Sequence, residues 1–320
     1  MSQESQLFLR RLADGVLVAD GGTGTAYQQL GLPIGVAPEE WIEEHPERVL
    51  AVHQAFLDAG ADIILTASFG GTSLRLRDTP LAGRTTQVNR RAAELAREAA
   101  NSHGDALVAG SMGPTGMLVE PLGDLTPALA ASAYAEQAAA LAQGGVDLLL
   151  LETFFAIEEA LAAIEGVRRV TDLPLVVSFS FDRGLRTMMG LSPGQVVRAI
   201  APLGVAAVGA NCGRSLDDME AVLRELVAAN AGVPLWIKPN AGLPRMHGDR
   251  AQYDTTPQTM ADYADRFVRA GARVVGGCCG TSAQHLAAMA AAVKNRRPPT
   301  ATGAAGNAGP RLGPGGDERA

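Results

Sequence analysis

The pattern of apolar positions along the chain predicts eight buried β-strands. Each is a short, continuous run of β-branched residues or leucine rather than an alternation of apolar and polar positions, which is typical of parallel strands covered on both faces. In chain order the runs are VLVAD (16–20), ADIILTAS (61–68), ALVAGSMG (106–113), VDLLLLET (146–153), LPLVVSFS (173–180), VAAVGANC (205–212), VPLWIKPN (233–240) and ARVVGGCC (272–279).

Amphipathic or alanine-rich segments separate these runs and predict helices, as in PERVLAVHQAFLDAG, ALAASAYAEQAAALAQGG and TPQTMADYADRFVRAG. In LDAGADIIL, AQGGVDLLL and VRAGARVVG a helix ends at glycine and a strand begins within a few residues. Eight alternating units, joined by right-handed crossovers, predict a single-domain (β/α)8 TIM barrel over residues 15–295. An open doubly wound sheet is the alternative, which is disfavoured because no GxGxxG opens the first helix.

Two terminal segments are predicted to lie outside the barrel. Residues 1–14 form an N-terminal extension, in which we expect a helix that closes the barrel floor. Residues 296–320 are rich in Gly, Pro, Ala and Arg and have almost no large apolar residue. Such a segment cannot bury enough surface to offset its ordering entropy, so a disordered tail is expected.

Composition narrows the classes of partner. Charged residues make up 19% of the 320, the net charge is −7, and no basic cluster exceeds a few residues. This argues against nucleic acid or an anionic membrane surface as a partner. No long apolar run and no signal-peptide pattern is present, so a cytoplasmic location is expected, and a homo-oligomer stays open. Three cysteines make no disulfide framework and are expected as thiols or ligands.

All three cysteines fall at the carboxyl ends of predicted strands, where a (β/α)8 barrel carries its chemistry. Cys212 closes the sixth run, and Cys278 with Cys279 closes the eighth. Neighbouring strands are about 4.8 Å apart, so strands two apart bring these sulfurs within reach of one ion. Three thiolates suit Zn2+ and leave one position open, as in catalytic zinc sites. Both adjacent cysteines can bind only if the backbone kinks, which the flanking glycines permit.

Two other interpretations of the cysteines are small buried residues and a vicinal disulfide. No histidine competes as a ligand, since none lies at a strand end: His53 and His285 fall in helical segments, and His45, His103 and His247 in loops or at helix ends. A zinc ion with three thiolates carries a net charge of −1, which makes it poor at polarising water. It is well suited to holding a fourth thiol as a thiolate, so alkyl transfer to a substrate sulfur is the fitting chemistry.

Seven motifs carry a resemblance to a known family: ADGGTGT, AGADIILTASFGG, GSMGPTG, LLLETF, GANCG, PNAGLP and GGCCGT. In this order they resemble the homocysteine S-methyltransferase family. That family includes betaine–homocysteine methyltransferase, S-methylmethionine-dependent enzymes and the homocysteine-binding module of cobalamin-dependent methionine synthase. The resemblance covers residues 15 to 295. It implies a zinc-dependent enzyme that moves a methyl group from an activated donor to the zinc-bound thiolate of homocysteine, forming methionine.

The resemblance also implies roles for particular residues. Zinc would be held by Cys212, Cys278 and Cys279, and the homocysteine ammonium by Asp20 and Glu152. The substrate carboxylate would meet the backbone amides of the loop after the first strand, and Asn211 would orient the site. A Gly-rich turn can present such amides to an anion, and two carboxylates can pair with one ammonium. The loop residues are Gly21, Gly22, Thr23, Gly24 and Thr25.

The identity of the methyl donor is open. Where related proteins commonly read TNTF, this chain reads Thr66-Ala67-Ser68-Phe69, in a loop expected to face the donor or the substrate. Aromatic residues, which usually hold onium cations, make up only 4% of the chain, and this favours a small sulfonium such as S-methylmethionine over betaine. A methylcorrinoid protein is the alternative donor. Another thiol acceptor and, outside enzymes, a zinc/thiol redox sensor are the alternative functions.

Overall fold

The computed structural model describes residues 3–229, 232–247 and 250–294. Its main sheet has eight parallel strands in the order β1-β10-β7-β6-β5-β4-β3-β2. Their bounds are β1 Leu17–Val18, β2 Ile63–Leu65, β3 Leu107–Met112, β4 Leu148–Phe154, β5 Leu175–Phe179, β6 Ala207–Cys212, β7 Leu235–Pro239 and β10 Ala272–Val275, while β8 Arg245–His247 and β9 Arg250–Gln252 form a separate antiparallel hairpin.

The sheet closes on itself. A parallel bridge joins Ala19 to Ile63, and the amide of Asp20 donates to the carbonyl of Ile63 at 2.9 Å, which links the end of β1 to β2. The predicted (β/α)8 TIM barrel is therefore confirmed, and the open doubly wound sheet is excluded. Each of the eight predicted runs contains one strand. The last predicted run is longer than its strand, because β10 ends at Val275 and the two adjacent cysteines lie in the turn beyond it.

Helices separate the strands and cover the outside of the barrel. Their bounds are α1 Gln3–Asp14, α2 Thr23–Gln29, α3 Trp41–Glu44, α4 Pro46–Asp58, α5 Ser73–Leu76, α6 Thr85–Ser102, α7 Pro127–Gln143, α8 Ile157–Arg168, α9 Pro193–Ile200, α10 Leu216–Ala228, α11 Pro257–Ala270 and α12 Ala283–Val293, with 3-10 turns at Pro38–Glu40 and Ala201–Leu203. Serine or threonine caps several of them. The Thr126 and Thr256 hydroxyls accept hydrogen bonds from the amides of Leu129 and Thr259, which otherwise lack intrahelical partners.

Two apolar layers form the core. The outer layer lies between the strands and the surrounding helices, and the inner layer fills the barrel. Phe8 and Leu12 of α1 belong to the inner layer, together with inward-facing strand residues such as Trp236 of β7. The N-terminal segment thus contains the expected helix, which packs into the barrel interior. Residues 295–320, which include the predicted disordered tail, lie outside the described residues, and the domain limits remain predictions. Over the described ranges, no helix is both long enough and apolar enough to cross a membrane.

Candidate metal centre and active site

The structure brings the three cysteines together at the carboxyl end of the barrel. Cys212 ends β6, and Cys278 and Cys279 follow β10, with β7 lying between these two strands. Their sulfurs all lie within 4.8 Å of one another, and the Cys212 and Cys278 sulfurs are 3.3 Å apart. All three are free thiols. Within the described residues, this thiol cluster is the one group of three or more His, Cys, Asp or Glu side chains found close enough to hold a metal ion.

The turn after β10 lets two adjacent cysteines face the same point. The Cys278 amide donates to the carbonyl of Pro239 at 2.7 Å, and the Cys279 amide donates to the side-chain oxygen of Asn240 at 3.0 Å. Both bonds tie the turn to the end of β7. A Cβ on Gly277 would lie 2.2 Å from the Thr281 side chain, so glycine is required for this close approach. The kink expected from the flanking glycines is present.

Asn211 fixes the backbone around Cys212. Its side-chain oxygen accepts from the Thr153 amide at 2.9 Å and from the Ser178 hydroxyl at 2.7 Å, and its Nδ2 lies 3.5 Å from the Cys212 sulfur. Cys212 and Thr153 have φ angles of 60° and 66°. A residue other than glycine in this left-handed region costs on the order of 1–3 kcal/mol and usually marks a functional site.

The three thiols shift one another's pKa values in different directions. Hydrogen bonds from Cys212, first, and Cys278 lower the pKa of Cys279. Hydrogen bonding to the other two thiols raises the pKa of Cys212 well above its usual value, with burial adding to the effect. The three sulfurs thus lie close enough to interact strongly, and a cation bound among them would favour their thiolate forms.

The two predicted acidic residues occupy different environments. Glu152 lines the cavity beside the thiol cluster, and its Oε1 accepts from the Ser111 hydroxyl at 2.5 Å. Burial raises the pKa of Glu152 to about 7, although nearby Lys238 opposes the shift. Asp20 is fully buried and does not appear in the cavity wall. Its Oδ1 accepts from Lys238 Nζ at 2.6 Å and its Oδ2 from the Leu65 amide at 2.8 Å.

Lys238 is a site residue that the sequence analysis missed. It lies on β7, is only 2% exposed, lines the cavity, and interacts electrostatically with Asp20, Glu152 and Cys278. Asp20 and then Glu152 counteract the effect of burial and raise the pKa of Lys238, so it carries a positive charge. The signal was a lone lysine inside the apolar run VPLWIKPN, since a buried lysine needs a partner charge.

The predicted carboxylate-binding loop also lines the cavity. Residues 21–25 contribute to its wall, and α2 starts within the loop at Thr23. The Gly22 amide is already used, because it donates to the Thr281 carbonyl at 3.0 Å. A Cβ on Gly22 would lie 2.5 Å from the Cys278 carbonyl, so this glycine lets the loop approach the turn that carries two of the cysteines. The loop and the thiol cluster are thus packed together.

The cavity at the barrel mouth has a volume of about 470 Å3. Thr66, Ala67, Ser68 and Phe69, the departure from the common TNTF pattern, all line it, as expected. No histidine of the described chain does so. His53 is fully buried in α4, where burial lowers its pKa to about 4, and His285 caps α12 through Ser282.

Comparison with known proteins identifies the family. The model of the homocysteine S-methyltransferase family matches residues 17–293. The chain belongs to the homocysteine S-methyltransferase family. This membership confirms the resemblance seen in the motifs. It also confirms the predicted enzyme class, an S-methyltransferase, and favours it over the alternative of a non-enzymatic redox sensor.

The chain is similar to proteins of two different lengths. Methionine synthase from Mycobacterium tuberculosis (strain ATCC 25618 / H37Rv) is 32% identical over 304 residues, which is 90% of this chain and 25% of that protein. Methionine synthase from Mycobacterium leprae is also 32% identical, over 301 residues. The chain therefore spans about a quarter of the length of these curated relatives. The metallated form of the homocysteine methyltransferase MmuM from Escherichia coli has a TM-score of 0.73 at 27% identity, and the match covers 87% of this chain and 96% of MmuM.

Proposed function

We propose that this homocysteine S-methyltransferase forms methionine by moving a methyl group from a small sulfonium donor to the sulfur of homocysteine, with zinc held by Cys212, Cys278 and Cys279. The convergence of these three thiols at the carboxyl end of the barrel carries the proposal. Their spacing fits the metal. A tetrahedral site with Zn–S distances of about 2.3 Å puts sulfurs roughly 3.8 Å apart, and the observed sulfurs lie within 4.8 Å of one another.

Zinc at this site would supply one thing, a substrate thiol ionised at neutral pH, where a free thiol with a pKa of about 8.5 is mostly protonated. The chain supplies the rest. Asn211 and Asn240 hold the turns that carry the cysteines, and the cavity walls align donor and acceptor and exclude water. Once its methyl group is transferred, a sulfonium donor becomes a neutral thioether, which is a stable leaving group. No residue therefore has to act as a general acid.

Glu152 is the residue that we propose for the substrate ammonium. Ser111 occupies its Oε1, and the carboxylate lines the cavity next to the thiol cluster. Asp20 acts less directly. Both of its oxygens accept hydrogen bonds from the protein. We therefore propose that it positions Lys238 and that its negative charge favours the substrate ammonium without contacting it. The amides of Thr23, Gly24 and Thr25, at the start of α2, are proposed to bind the substrate carboxylate, with Gly21 and Gly22 giving the loop its close approach.

A methylcorrinoid protein is the second candidate donor, because the mycobacterial relatives at 32% identity are named methionine synthase. The reaction needs three reduced cysteines, so we expect the enzyme to work in the cytoplasm, where thiols persist. Homocysteine and one donor are the proposed small-molecule partners, and neither nucleic acid nor a membrane is expected, given the acidic net charge.

The test is a donor screen with the purified, zinc-loaded protein. Homocysteine is mixed with S-methylmethionine, betaine or a methylated corrinoid protein, and methionine is measured by mass spectrometry. Methionine formed from S-methylmethionine alone is the expected result. Activity only with the corrinoid protein would replace the small donor, and no methionine with any donor would contradict the function.

A variant separates substrate binding from metal binding. Glu152→Gln should keep its zinc but bind homocysteine more weakly by about 2–5 kcal/mol, since it removes one partner of a desolvated charge pair. Calorimetry in two buffers of different ionisation enthalpy should also show about one proton released per homocysteine bound to the wild-type protein. Loss of zinc from Glu152→Gln would instead make this residue structural.

A further inference from the structure

Two buried side-chain amides outside the cavity have no role in the proposed chemistry. Asn89 of α6 and Gln137 of α7, which we call the amide pair, are fully buried in helix faces whose other buried residues are mostly alanine. Gln137 Oε1 has no hydrogen-bond partner among the described residues. A buried polar group costs stability unless it is bonded, so apolar side chains would be the simpler choice at this helix interface. The amide pair therefore requires another explanation.

The amide pair holds the loop that follows β2, residues 66–71, which we call the strand-2 loop. Gln137 Nε2 donates to the Ser68 carbonyl at 2.7 Å and to Asn89 Oδ1 at 3.0 Å. Asn89 Nδ2 donates to the Gly71 carbonyl at 2.7 Å. A Cβ on Gly71 would lie 2.3 Å from Asn89 Oδ1 and 2.8 Å from Gln137 Nε2, so glycine is needed for this close approach. Both ends of the loop segment 68–71 are thus bonded to side chains of the surrounding helices.

Two hydroxyl groups of the strand-2 loop bind the backbone of Ser111 on β3. The Ser111 amide donates to Thr66 Oγ1 at 2.9 Å, and Ser68 Oγ donates to the Ser111 carbonyl at 2.8 Å. The two hydroxyl oxygens are 2.6 Å apart. Because Ser68 gives its proton to the carbonyl, Thr66 is the donor between the two hydroxyls. Since β2 ends at Leu65, these side chains take the place that a longer strand would have beside Ser111.

Ser111 connects the strand-2 loop to Glu152. Its hydroxyl donates to Glu152 Oε1 at 2.5 Å, which occupies one of the two carboxylate oxygens. Burial raises the pKa of Glu152, and the Ser111 hydrogen bond acts in the opposite direction, toward the charged form. A continuous series of hydrogen bonds therefore leads from Gln137 through Ser68 and Ser111 to the carboxylate that faces the cavity.

We propose that Gln137 and Asn89 are positioning residues, which fix the strand-2 loop so that Ser111 orients Glu152 toward the ammonium group of the substrate. This inference rests on the role proposed above for Glu152. Neither amide lines the cavity, so both act through the loop and not by touching a ligand. Loss of the amide pair should therefore weaken the binding of ligands that carry an ammonium group and spare ligands that lack one.

The test compares two thiols that differ in one group. Calorimetry measures the binding of homocysteine and of 4-mercaptobutanoate, which lacks the ammonium group, to the zinc-loaded protein. The wild-type protein should prefer homocysteine by about thirtyfold or more, because Glu152 pairs with the ammonium. Gln137→Met nearly keeps the size of the side chain but removes its N–H donors. It should reduce the preference about three- to tenfold, the range that one hydrogen bond spans, while zinc and 4-mercaptobutanoate bind as in the wild type.

A double-mutant cycle shows whether Gln137 acts through Glu152. Glu152→Gln removes the charge that the series of hydrogen bonds orients, so adding Gln137→Met to it should weaken homocysteine no further. Additive losses would mean that Gln137 acts by another route and would contradict the inference. Ser68→Ala leaves the amide pair intact and removes the bond to the Ser111 carbonyl. It should reduce the preference in the same way, which provides the test if Gln137→Met folds poorly.

Asp147→Asn is the matched control. Asp147 is buried just before β4, at the opposite end of the barrel, where its Oδ2 accepts from the Val108 amide at 2.7 Å and from Arg97. The change should lower Tm but leave the preference for homocysteine intact. A wild-type preference that persists in Gln137→Met and Ser68→Ala, or that falls equally in Asp147→Asn, would overturn the positioning role alone. Equal binding of the two thiols by the wild-type protein would contradict the proposed function of Glu152 and this inference with it.

Discussion

The two mouths of the barrel are built on opposite principles. At the N-terminal mouth, α1 inserts Phe8 and Leu12 among inward-facing apolar residues, and both are almost fully buried. At the C-terminal mouth, the wall carries three thiols, buried charges and the Tyr27 hydroxyl, which has no hydrogen-bond partner among the described residues. The N-terminal end of the barrel therefore contributes apolar packing that stabilises the fold. The C-terminal end carries the groups that cost stability, which is the usual division in (β/α)8 enzymes.

Several groups at the C-terminal mouth lower the stability of the ligand-free protein, and the proposed function explains them as binding groups. Cys212 and Thr153 hold left-handed backbone conformations, and Lys238 is buried among anions. None of these arrangements is favourable in itself. Lys238 and Thr153 line one cavity with the three thiols and Glu152, and in the proposed function a metal ion and a charged substrate would compensate these costs.

Removing one of the three thiols should have the largest effect on zinc binding and activity. This effect should be confined to the C-terminal mouth of the barrel. In Cys279→Ala, at most two thiolates remain. If structural zinc sites bind with up to about 16 kcal/mol over four ligands, one ligand is worth about 4 kcal/mol, or roughly a thousandfold in zinc affinity. Competition with a chromogenic chelator measures that affinity, and methionine formation should be lost. Wild-type zinc affinity in this variant would remove Cys279 from the site.

The apolar mouth is tested by Phe8→Ala. The side chain is fully buried in the inner layer, so its truncation should destabilise the protein by about 3–4 kcal/mol, as in other buried Phe→Ala changes. Urea unfolding gives the change. Zinc affinity and the KM values of the folded protein should match the wild type. A shift in homocysteine affinity would show that the two mouths are coupled.

The Asp20–Lys238 pair tests whether charge at the catalytic mouth serves stability or binding. Lys238→Met leaves Asp20 buried and unpaired, which should cost about 3 kcal/mol of stability. The double variant Asp20→Asn with Lys238→Met should recover much of that stability. If Lys238 also organises the ammonium site, homocysteine affinity should stay low in the double variant. Full recovery of both quantities would make the pair purely structural.

His53 provides the smallest expected effect, away from either mouth. Its folded-state pKa of about 4 lies below the ordinary 6.5, so the unfolded chain binds the extra proton first as the pH falls. Its contribution to stability is therefore present above pH 6.5 and is lost as the pH falls toward 4, by about 2 kcal/mol between pH 7 and 5. His53→Leu should remove this part of the acid sensitivity, which urea unfolding at pH 7 and at pH 5 measures.

Most of the fold could be predicted from the sequence, because continuous apolar runs and glycine helix ends are local signals. All eight barrel strands and the meeting of the three cysteines follow from strand order alone. The partners of Asp20 could not be predicted, since its hydrogen bonds reach Lys238 and Leu65, far away in the chain. The sequence carries no signal that sets Tyr27 apart from the other aromatic residues. That its hydroxyl lacks a partner is a property of three-dimensional packing.

The short length of β10 was missed for a related reason. Apolar and glycine residues continue past Val275, so the run looks like a strand to its end, but the Cys278 and Cys279 amides bond to Pro239 and Asn240 in a turn. Those bonds depend on the end of β7, which a local pattern does not report. The glycines correctly indicated a kink but not its position.

The central claim is that three cysteines hold zinc with one position left for the homocysteine sulfur. X-ray absorption at the zinc edge counts the sulfur neighbours of the metal directly. The zinc-loaded protein should show three sulfurs at about 2.3 Å and, after homocysteine is added, four. A count that stays at three with bound homocysteine, or that falls below three without it, would contradict the account.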